Sequence, residues 1–420
     1  RIENPKGVWR SAGKSDNFHV TLMRLPYDNA EDFKPFNSEG AWRATIIDGG
    51  DDFITLRSTV EGSGSDNVQQ TGVKSIEGAG EHPIDFWIDF KGTIPEGATP
   101  RCAIVRVRYH NYTCEHDIFV RQGYAPITIN GNAESNNNPA WTSYNVYRFD
   151  ANNAPVYTKS PLEEGSLFRR GNRTAILASN NDRSGFTFGV EPTGSFNVLE
   201  FGSATTSQKT WSQLAPSTDD VTNRFKEWSI AGDHERIATI EDFYTLESTS
   251  IHSNINKAYG VLYGDGATET QKSVEVALGY DHNEDPTNSK KGMRGCFVFN
   301  INNSHNIFFP IGKSGYGLRK GITSNGEKVG TLRYAQRTDY YNNDGTGNIQ
   351  YVPLFYDLFE RPGAIYQCRN RLSSTGSDVK KSSAFDINYF TMGFEGFENG
   401  ASNNNNGSDS DACFIRTVKY

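Results

Sequence analysis

The sequence predicts a mainly β, multidomain protein in which a β-sandwich is followed by an α+β domain with long loops. Its 420 residues are too many for one small domain, because domains typically have roughly 100–200 residues. With 41 Gly and 12% aromatic residues, the composition favours short strands joined by turns, with Phe and Tyr filling thin cores. In the last third, aromatic and apolar blocks such as Gly295–Phe299 and Asn306–Ile311 alternate with polar, Gly-rich spacers. We therefore expect strands and long loops there.

Residues 1–126 have the pattern of a β-sandwich. Their clearest feature is a hairpin whose turn is centred near Asn111 and Tyr112 and whose second strand ends at Gln122. Both strands alternate apolar and polar residues, and this period of two places one face of each strand toward a core. The residues expected on that face are Ala103, Val105, Val107, Tyr109, Ile118 and Val120.

The second domain is expected to follow the edge at Tyr124–Pro126 and to cover residues 127–420. Two helix starts are predicted within it. Ser160–Pro161 offers a cap followed by proline in the first turn, and Thr239 with Asp242 resembles a capping box. A third helix is predicted from apolar residues at helical spacing, Val221, Phe225 and Trp228.

Charge and hydropathy argue against several partners. The net charge is -8, and a mildly acidic surface disfavours nucleic acid and anionic membranes as main partners. No apolar run approaches the roughly 18 residues that a membrane-spanning helix needs. We expect no nucleic-acid partner and no transmembrane segment.

The five cysteines do not form a disulfide framework, because they are sparse, odd in number and lack a C-x-x-C pair. In the predicted hairpin, Cys102 faces a residue near Arg121, and Cys114 faces one near Tyr109. The two thiols therefore do not meet. We expect mostly buried thiols that pack as small apolar residues.

The sequence carries no recognisable catalytic motif. Gly13–Ser15 and Gly312–Ser314 resemble the end of a phosphate-binding loop, but the glycine required five residues earlier is missing in both. No G-x-S-x-G and no H-E-x-x-H is present. His110 and His116 bracket the hairpin turn and are interpreted as exposed residues at strand ends. We therefore predict a protein that is not an enzyme and has no catalytic residues or resident cofactor.

Acidic loops are the remaining chemical feature. Asp265 follows a Tyr-Gly pair, and Asp281–Asp285 and Asp339–Asp344 are compact oxygen-rich loops. Asp386 and Asn388 alternate within an aromatic strand, so their side chains share a face. Calcium takes six to eight oxygen ligands from such loops, although none of them follows the EF-hand spacing. Ordinary Asp and Asn turn chemistry is the alternative.

A ligand site, if present, is predicted to include a small set of polar and aromatic residues. Carboxylates and amides beside aromatic rings suit carbohydrate and peptide surfaces. The predicted site-lining residues are Asp265, Asp386, Asn388 and Tyr389. Alternatively, all of these residues support the core and the turns. The candidate metal is calcium.

Several segments carry a resemblance to known families. In the second domain they are Asn145–Phe149, Ser160–Phe168, Arg236–Phe243, Tyr259–Ala267, Gly292–Val298, Phe308–Gly317, Arg361–Tyr366 and Ala412–Arg416. These segments resemble the major paralogous domain of fibrobacters and its Bacteroides relatives, a family of secreted Bacteroidota proteins. That domain is similar to the fold shared by C-type lectins and formylglycine-generating enzymes. In the first domain, Arg101–Arg108 and Ile118–Gln122 resemble Ig-like modules of the BACON type.

The resemblance implies a non-enzymatic adhesion protein of the cell surface or of fimbriae, extracellular and either lipid-anchored or fimbrial, with a lectin-like binding head. Its expected partners are a glycan or a host or bacterial surface protein, with pilus subunits as further candidates. The alternative is a surface glycan-binding protein that supports polysaccharide capture. A formylglycine-generating activity requires a closely spaced cysteine pair, which Cys368 and Cys413 do not reproduce. Lectin calcium sites use a Trp-Asn-Asp triplet, whereas this chain has Phe385–Asn388.

Overall fold

The fold is that of a computed structural model, which describes residues 5–24, 34–35, 37–49, 53–58, 70–80, 83–131, 134–135, 137–169, 172–177, 194–214, 234–246, 254–266, 292–310, 363–369, 384–388, 393–394 and 412–420. These residues are mainly β, as predicted, with one short α-helix and one 3-10 turn at Ser212–Leu214. Among them, no helix has the length and apolar character needed to span a membrane.

The elements are numbered in chain order. The first eleven strands are β1 (Gly7–Arg10), β2 (Phe18–Thr21), β3 (Met23–Arg24), β4 (Lys34–Pro35), β5 (Trp42–Asp48), β6 (Ile54–Ser58), β7 (Ser75–Gly78), β8 (Asp85–Phe90), β9 (Arg101–Tyr109), β10 (Cys114–Gln122) and β11 (Ile127–Thr128). The next elements are β12 (Ala140–Trp141), β13 (Val146–Phe149), β14 (Pro155–Tyr157), β15 (Ser166–Arg169), β16 (Ala175–Leu177), β17 (Ser195–Leu199), β18 (Thr206–Thr210), β19 (Glu235–Ile237) and α1 (Ile240–Tyr244). The last are β20 (Ile255–Tyr263), β21 (Gly292–Asn300), β22 (Asn306–Pro310), β23 (Gly363–Gln367), β24 (Ala384–Asn388), β25 (Gly393–Phe394), β26 (Ala412–Cys413) and β27 (Thr417–Lys419).

The chain divides into two compact units, each built from two chain segments. The first unit comprises Arg1–Ala133 and Ser248–Phe309, and the second comprises Glu134–Glu247 and Pro310–Tyr420. The sequence predicted one boundary after residue 126 and so placed Ser248–Phe309 in the second domain. The difference has a physical reason: strands β20 to β22 extend the main sheet of the first unit, and Val261 and Tyr263 of β20 are buried in its core.

In the first unit, two sheets enclose one hydrophobic core. The larger sheet has the order β22-β21-β20-β1-β10-β9-β5-β7, and the smaller has the order β2-β8-β6. Along β8, Phe86 and Ile88 are buried, whereas Trp87 lies on the outer face and is half-buried. Trp42 of the larger sheet packs against Phe86 of the smaller one, with ring centroids 6.1 Å apart. This layering is a β-sandwich; its Ig-like type stays a prediction.

The predicted hairpin is confirmed as β9 and β10. Cys102 lies opposite Arg121, and Cys114 lies opposite Tyr109. The inward-facing residues were also predicted correctly. Ala103, Val105, Val107, Ile118 and Val120 belong to the core, and Tyr109 packs against it.

Aromatic side chains of β10 and β21 meet on one face of the larger sheet. Phe119 of β10 packs against Phe297 and Phe299 of β21, with ring centroids 5.4 and 4.2 Å away. Strands β1 and β20 lie between β10 and β21 in the sheet, so these rings reach toward each other across two strands. The Phe297 ring lies over Gly7 of β1. Gly7 permits this approach, because a Cβ atom there would lie 2.4 Å from the Phe297 ring.

The second unit contains several small sheets. One has the order β18-β17-β16-β15-β26, and in another β27 lies between β12 and β19. The residues 412–420 therefore contribute strands to both sheets. Phe149 and Phe168 meet in the core, with ring centroids 5.4 Å apart. The lectin-like type of this unit stays a prediction.

The helix predictions had different outcomes. The capping box at α1 is confirmed: Asp242 N donates to Thr239 Oγ1, and Thr239 N donates to the Asp242 carboxylate at 2.8 Å. The helix predicted at Ser160–Pro161 was wrong, because this segment forms a turn in which Glu163 N donates to Ser160 O at 3.2 Å. Gly165, with φ +87°, then reverses the chain. The helix predicted from Val221, Phe225 and Trp228 lies outside the described residues.

The cysteines form no disulfide. Cys102, Cys296, Cys368 and Cys413 are buried, and Cys114 at the hairpin tip is exposed. Burial raises the pKa of the Cys102 thiol to about 11, so this thiol stays protonated at neutral pH.

Candidate binding surfaces

The predicted site residue Asp265 supports a turn. It directly follows β20, is half-buried, and its Oδ1 accepts a hydrogen bond from Ser11 N at 2.8 Å. Gly266, with φ +76°, completes the turn. Asp265 thus ties the loop after β20 to the loop after β1, which matches the alternative role given for it. Its role toward a ligand stays a prediction.

Arg10, which the sequence did not single out, organises the surroundings of Asp265. Its side chain is fully buried and donates from Nη1 to Gly264 O at 2.7 Å and to Trp9 O at 3.1 Å. Its Nε lies 3.1 Å from the Asp16 carboxylate. Burial lowers the pKa of Arg10, while the charges of Asp16 and Asp265 act in the opposite direction. The guanidinium therefore joins β1 to β20 electrostatically and by hydrogen bonds.

Two further predicted site residues, Asp386 and Asn388, belong to the second unit, whereas Asp265 belongs to the first. In the pairing of β24 with β23, Asp386 lies opposite Ile365 and Asn388 lies opposite Gly363. Tyr389 lies outside the described residues.

No metal centre is formed in the part of the chain that the structure describes, where no three His, Cys, Asp or Glu residues are grouped suitably. The acidic loops Asp281–Asp285 and Asp339–Asp344 lie outside that part. His116, expected to be exposed, is instead buried, and its Nε2 lies 2.7 Å from Pro5 O. Burial lowers the pKa of His116 to about 3, so the ring is neutral. His110 accepts a hydrogen bond at Nδ1 from Glu39 N at 2.8 Å.

Trp87 is the centre of a polar stack on the outer face of the smaller sheet. Its ring stacks on His19, with centroids 4.5 Å apart, and the Arg57 guanidinium lies 4.9 Å from its ring centroid. His19 and Arg57 belong to strands on opposite sides of β8, so they cover the two faces of the indole. Arg57 also forms a two-bond ion pair with Asp89, and His19 contacts Asp85. An indole covered on both faces offers no platform for a sugar ring, so this stack does not favour the polysaccharide-capture alternative.

In the second unit, Tyr147 is exposed beside charged groups. Its side chain on β13 is 36% exposed. Burial of its inner part and the charge of Glu163 raise the pKa of Tyr147, whereas Arg148 lowers it. Burial likewise raises the pKa of Glu163, and Lys159 opposes this shift. We call this group, Tyr147, Arg148, Lys159 and Glu163, the Tyr147 surface.

The loop that carries Lys159 and Glu163 is fixed against β13. Thr158 N donates to Asn145 O at 3.2 Å, and Asn145 Nδ2 donates to Glu164 O at 2.6 Å. Gly165 lies so close that a Cβ atom there would be 2.8 Å from Asn145 Cβ. These contacts hold Glu163 near Tyr147 without help from a ligand.

A buried polar network lies behind that loop. Arg416 donates to Asn145 Oδ1 from Nε at 2.9 Å and from Nη2 at 2.7 Å, and from Nη1 to Thr142 O at 2.9 Å. Asn145 Nδ2 also donates to the Tyr366 hydroxyl at 3.1 Å. Burial lowers the pKa of Arg416 and raises the pKa of Tyr366 to about 12. The network positions Asn145, and therefore the loop of the Tyr147 surface.

Comparison with known proteins adds little. No protein family matches this chain, and no curated protein matches it. Among solved structures, the chain is similar to the sialic acid binding region of the Streptococcus sanguinis SK1 adhesin bound to 3'sLn, at 8% identity over 95% of each chain and with a TM-score of 0.15. A likeness at this TM-score carries no argument about fold or function.

The residues that sequence reasoning missed are Arg10, Tyr147, Glu163 and Arg416. Arg10 and Arg416 stand within otherwise apolar strand patterns, and a charged residue in such a position is a signal for a buried, paired group. Tyr147 had no signal in the sequence, because exposure of an aromatic residue depends on which strands cover it.

Proposed function

We propose that the protein is a non-enzymatic adhesion protein of the cell surface or of fimbriae, and that its second unit is a lectin-like binding head. The observation that supports this proposal is the Tyr147 surface. An exposed tyrosine ring packs against the apolar face of a sugar, and a neighbouring carboxylate accepts hydrogen bonds from sugar hydroxyls. The surrounding loop is already ordered, so binding would cost little conformational entropy.

The proposed ligand is a glycan, or a glycosylated protein, on a host or bacterial surface. Lys159 lies near the Glu163 carboxylate and Arg148 lies near Tyr147, and both can donate to sugar hydroxyls or to ring substituents. The same proposal includes pilus subunits as further partners, an extracellular location, and attachment through a lipid anchor or a fimbria. Asp386, Asn388 and Tyr389 are proposed as further site residues, and calcium as a ligand of the acidic loops.

The test is a glycan array probed with the full chain in calcium and in a chelator. The full chain is required because a fragment covering 127–420 would separate β20 from β1 of the first unit. Two variants, Tyr147→Ala and Glu163→Gln, should lose the signal by about ten-fold or more, since each removes a direct contact. Tyr244→Ala is the matched control, because Tyr244 is an exposed tyrosine of the same unit.

The outcomes separate the mechanisms. Hits that vanish in Tyr147→Ala but persist in Tyr244→Ala support the proposed head, and calcium dependence would add the acidic loops to it. Hits that neither variant changes would place binding elsewhere on the molecule. A folded protein that binds no glycan would refute the glycan-binding head and leave a protein-binding or structural pilus component.

A further inference from the structure

The tip of the β9–β10 hairpin holds three consecutive non-glycine residues in the left-handed conformation. The φ angles of His110, Asn111 and Tyr112 are 51°, 52° and 67°. Left-handed backbone is unfavourable for residues with a Cβ atom, except for Asn, whose short polar side chain tolerates it. Strain of this kind persists only where the surroundings enforce it, and it concentrates at functional sites.

The segment 38–41 enforces the conformation from outside the hairpin. His110 N donates to Ser38 Oγ at 2.7 Å, and Glu39 N donates to His110 Nδ1 at 2.8 Å. Asn111 N donates to Ala41 O, and Ala41 N donates to Asn111 Oδ1, both at 3.0 Å. Each of these hydrogen bonds involves His110 or Asn111. The turn is thus held by its first two residues, and the third is projected outward.

The residue projected outward is Tyr112, whose side chain is 42% exposed. The guanidinium carbon of Arg43, on β5, lies 5.2 Å from the centroid of its ring. Arg43 is itself 47% exposed and is paired with Glu77 on β7. Exposed ion pairs of this kind contribute only about 0–1 kcal/mol, so a ligand can replace Glu77 at little cost.

A second exposed arginine lies on the neighbouring strand. Arg43 lies directly opposite Arg108 of β9, and Arg108 is 53% exposed with its Nε 3.5 Å from Glu115. Each arginine already has a carboxylate on its far side, because Glu77 lies opposite Arg43 and Glu115 lies opposite Arg108. Both ion pairs are exposed, so a ligand carboxylate that forms charge-assisted hydrogen bonds with the two guanidinium groups would replace them at little cost.

We propose that the hairpin-tip surface, formed by Tyr112, Arg43 and Arg108, binds a sugar that carries a carboxylate. The guanidinium groups of Arg43 and Arg108 hold the carboxylate, and the outer part of the Tyr112 ring packs against the pyranose. An extended peptide is the less suitable occupant, because β5 and β9 are interior strands with neighbours on both sides and offer no open edge for strand pairing. This site lies in the first unit and is separate from the head proposed above.

Calorimetric titration of the full chain tests the proposal with two matched pairs of ligands. Trigalacturonic acid is compared with its methyl ester, and sialyllactose with lactose. Tyr112→Asn, Arg43→Gln and Arg108→Gln are each expected to weaken acidic-sugar binding by about ten-fold or more. Tyr112→Asn removes the ring but introduces a residue that tolerates the left-handed conformation. The thermal stability of this variant should therefore not fall.

Arg57→Gln is the matched control, because Arg57 also stacks on an aromatic ring and pairs with a carboxylate, but on the smaller sheet. The proposal is supported if the chain binds one of the acidic sugars but not its neutral partner. This binding should weaken with added salt and should survive Arg57→Gln and Tyr147→Ala. The sugar that binds identifies the ligand. The proposal would be overturned if the neutral partner bound as tightly as the acidic sugar, or if Arg57→Gln weakened binding as much as the hairpin-tip variants. It would also be overturned if a glutamate hexapeptide bound with the same affinity, or if the folded chain bound neither acidic sugar.

Discussion

Replacing Arg10 with methionine tests whether this buried guanidinium joins the two chain segments of the first unit. The substitution keeps an unbranched apolar side chain near Phe18 and Phe90, whose ring centroids lie 5.8 and 5.3 Å from the guanidinium carbon. It removes the ion pair with Asp16 and the donor to Gly264 O. Breaking a buried ion pair costs about 3–5 kcal/mol. Because the Asp16 side chain is 34% exposed and can regain water, we expect the lower end, about 3 kcal/mol.

The measurement is urea unfolding followed by tryptophan fluorescence, combined with hydrogen exchange of residues 5–12 and 255–266. Arg10→Met should lower the free energy of unfolding and speed exchange in both regions together, since Arg10 links β1 to the end of β20. Arg43→Met is the control, because its ion pair with Glu77 is exposed and should cost less than about 1 kcal/mol. A loss below about 1 kcal/mol for Arg10→Met, or faster exchange in residues 5–12 alone, would refute this reasoning.

Three further predictions address stability. Tyr112→Gly should raise the free energy of unfolding by about 1 kcal/mol, because glycine relieves the left-handed backbone; a lower midpoint in urea would contradict this. The first unit should lose stability as the pH falls from about 6.5 toward 3, since the unfolded chain binds a proton at His116 that the folded chain excludes. Unfolding at a series of pH values measures this loss, and His116→Gln should make the free energy of unfolding depend less on pH. Arg416→Met should cost about 3 kcal/mol, because Asn145 Oδ1 and Thr142 O lose their buried donor; an unchanged urea midpoint would exclude that role.

Local patterns allowed correct predictions where the structure is itself local. The faces of β9 and β10 followed from alternation along each strand, and the opposition of Cys102 and Arg121 followed from the position of the turn. The capping box of α1 involves only the residues from Thr239 to Asp242. At Ser160, a suitable cap was not sufficient, because contacts of the following loop with Asn145 favour a turn.

The surroundings of the candidate site residues depend on partners that are remote in sequence. Asp265 was selected for its carboxylate, but its partner is Ser11 N, far along the chain. The strand that carries Asp386 and Asn388 is present as β24. Exposure of Tyr147 could not be deduced, since it depends on which elements cover its ring.

The sequence by itself determined that this chain is mainly β, where its clearest hairpin turns and which side chains of that hairpin face inward. These features depend on neighbours within a few residues, so the local pattern specifies them. The tertiary structure alone decided that β20 to β22 complete the sheet of the first unit and that Phe119 of β10 meets Phe299 of β21. It also decided that Arg10 is buried at the junction of β1 and β20. The free energy of these arrangements comes from burial and hydrogen bonding between distant segments, which no local pattern encodes.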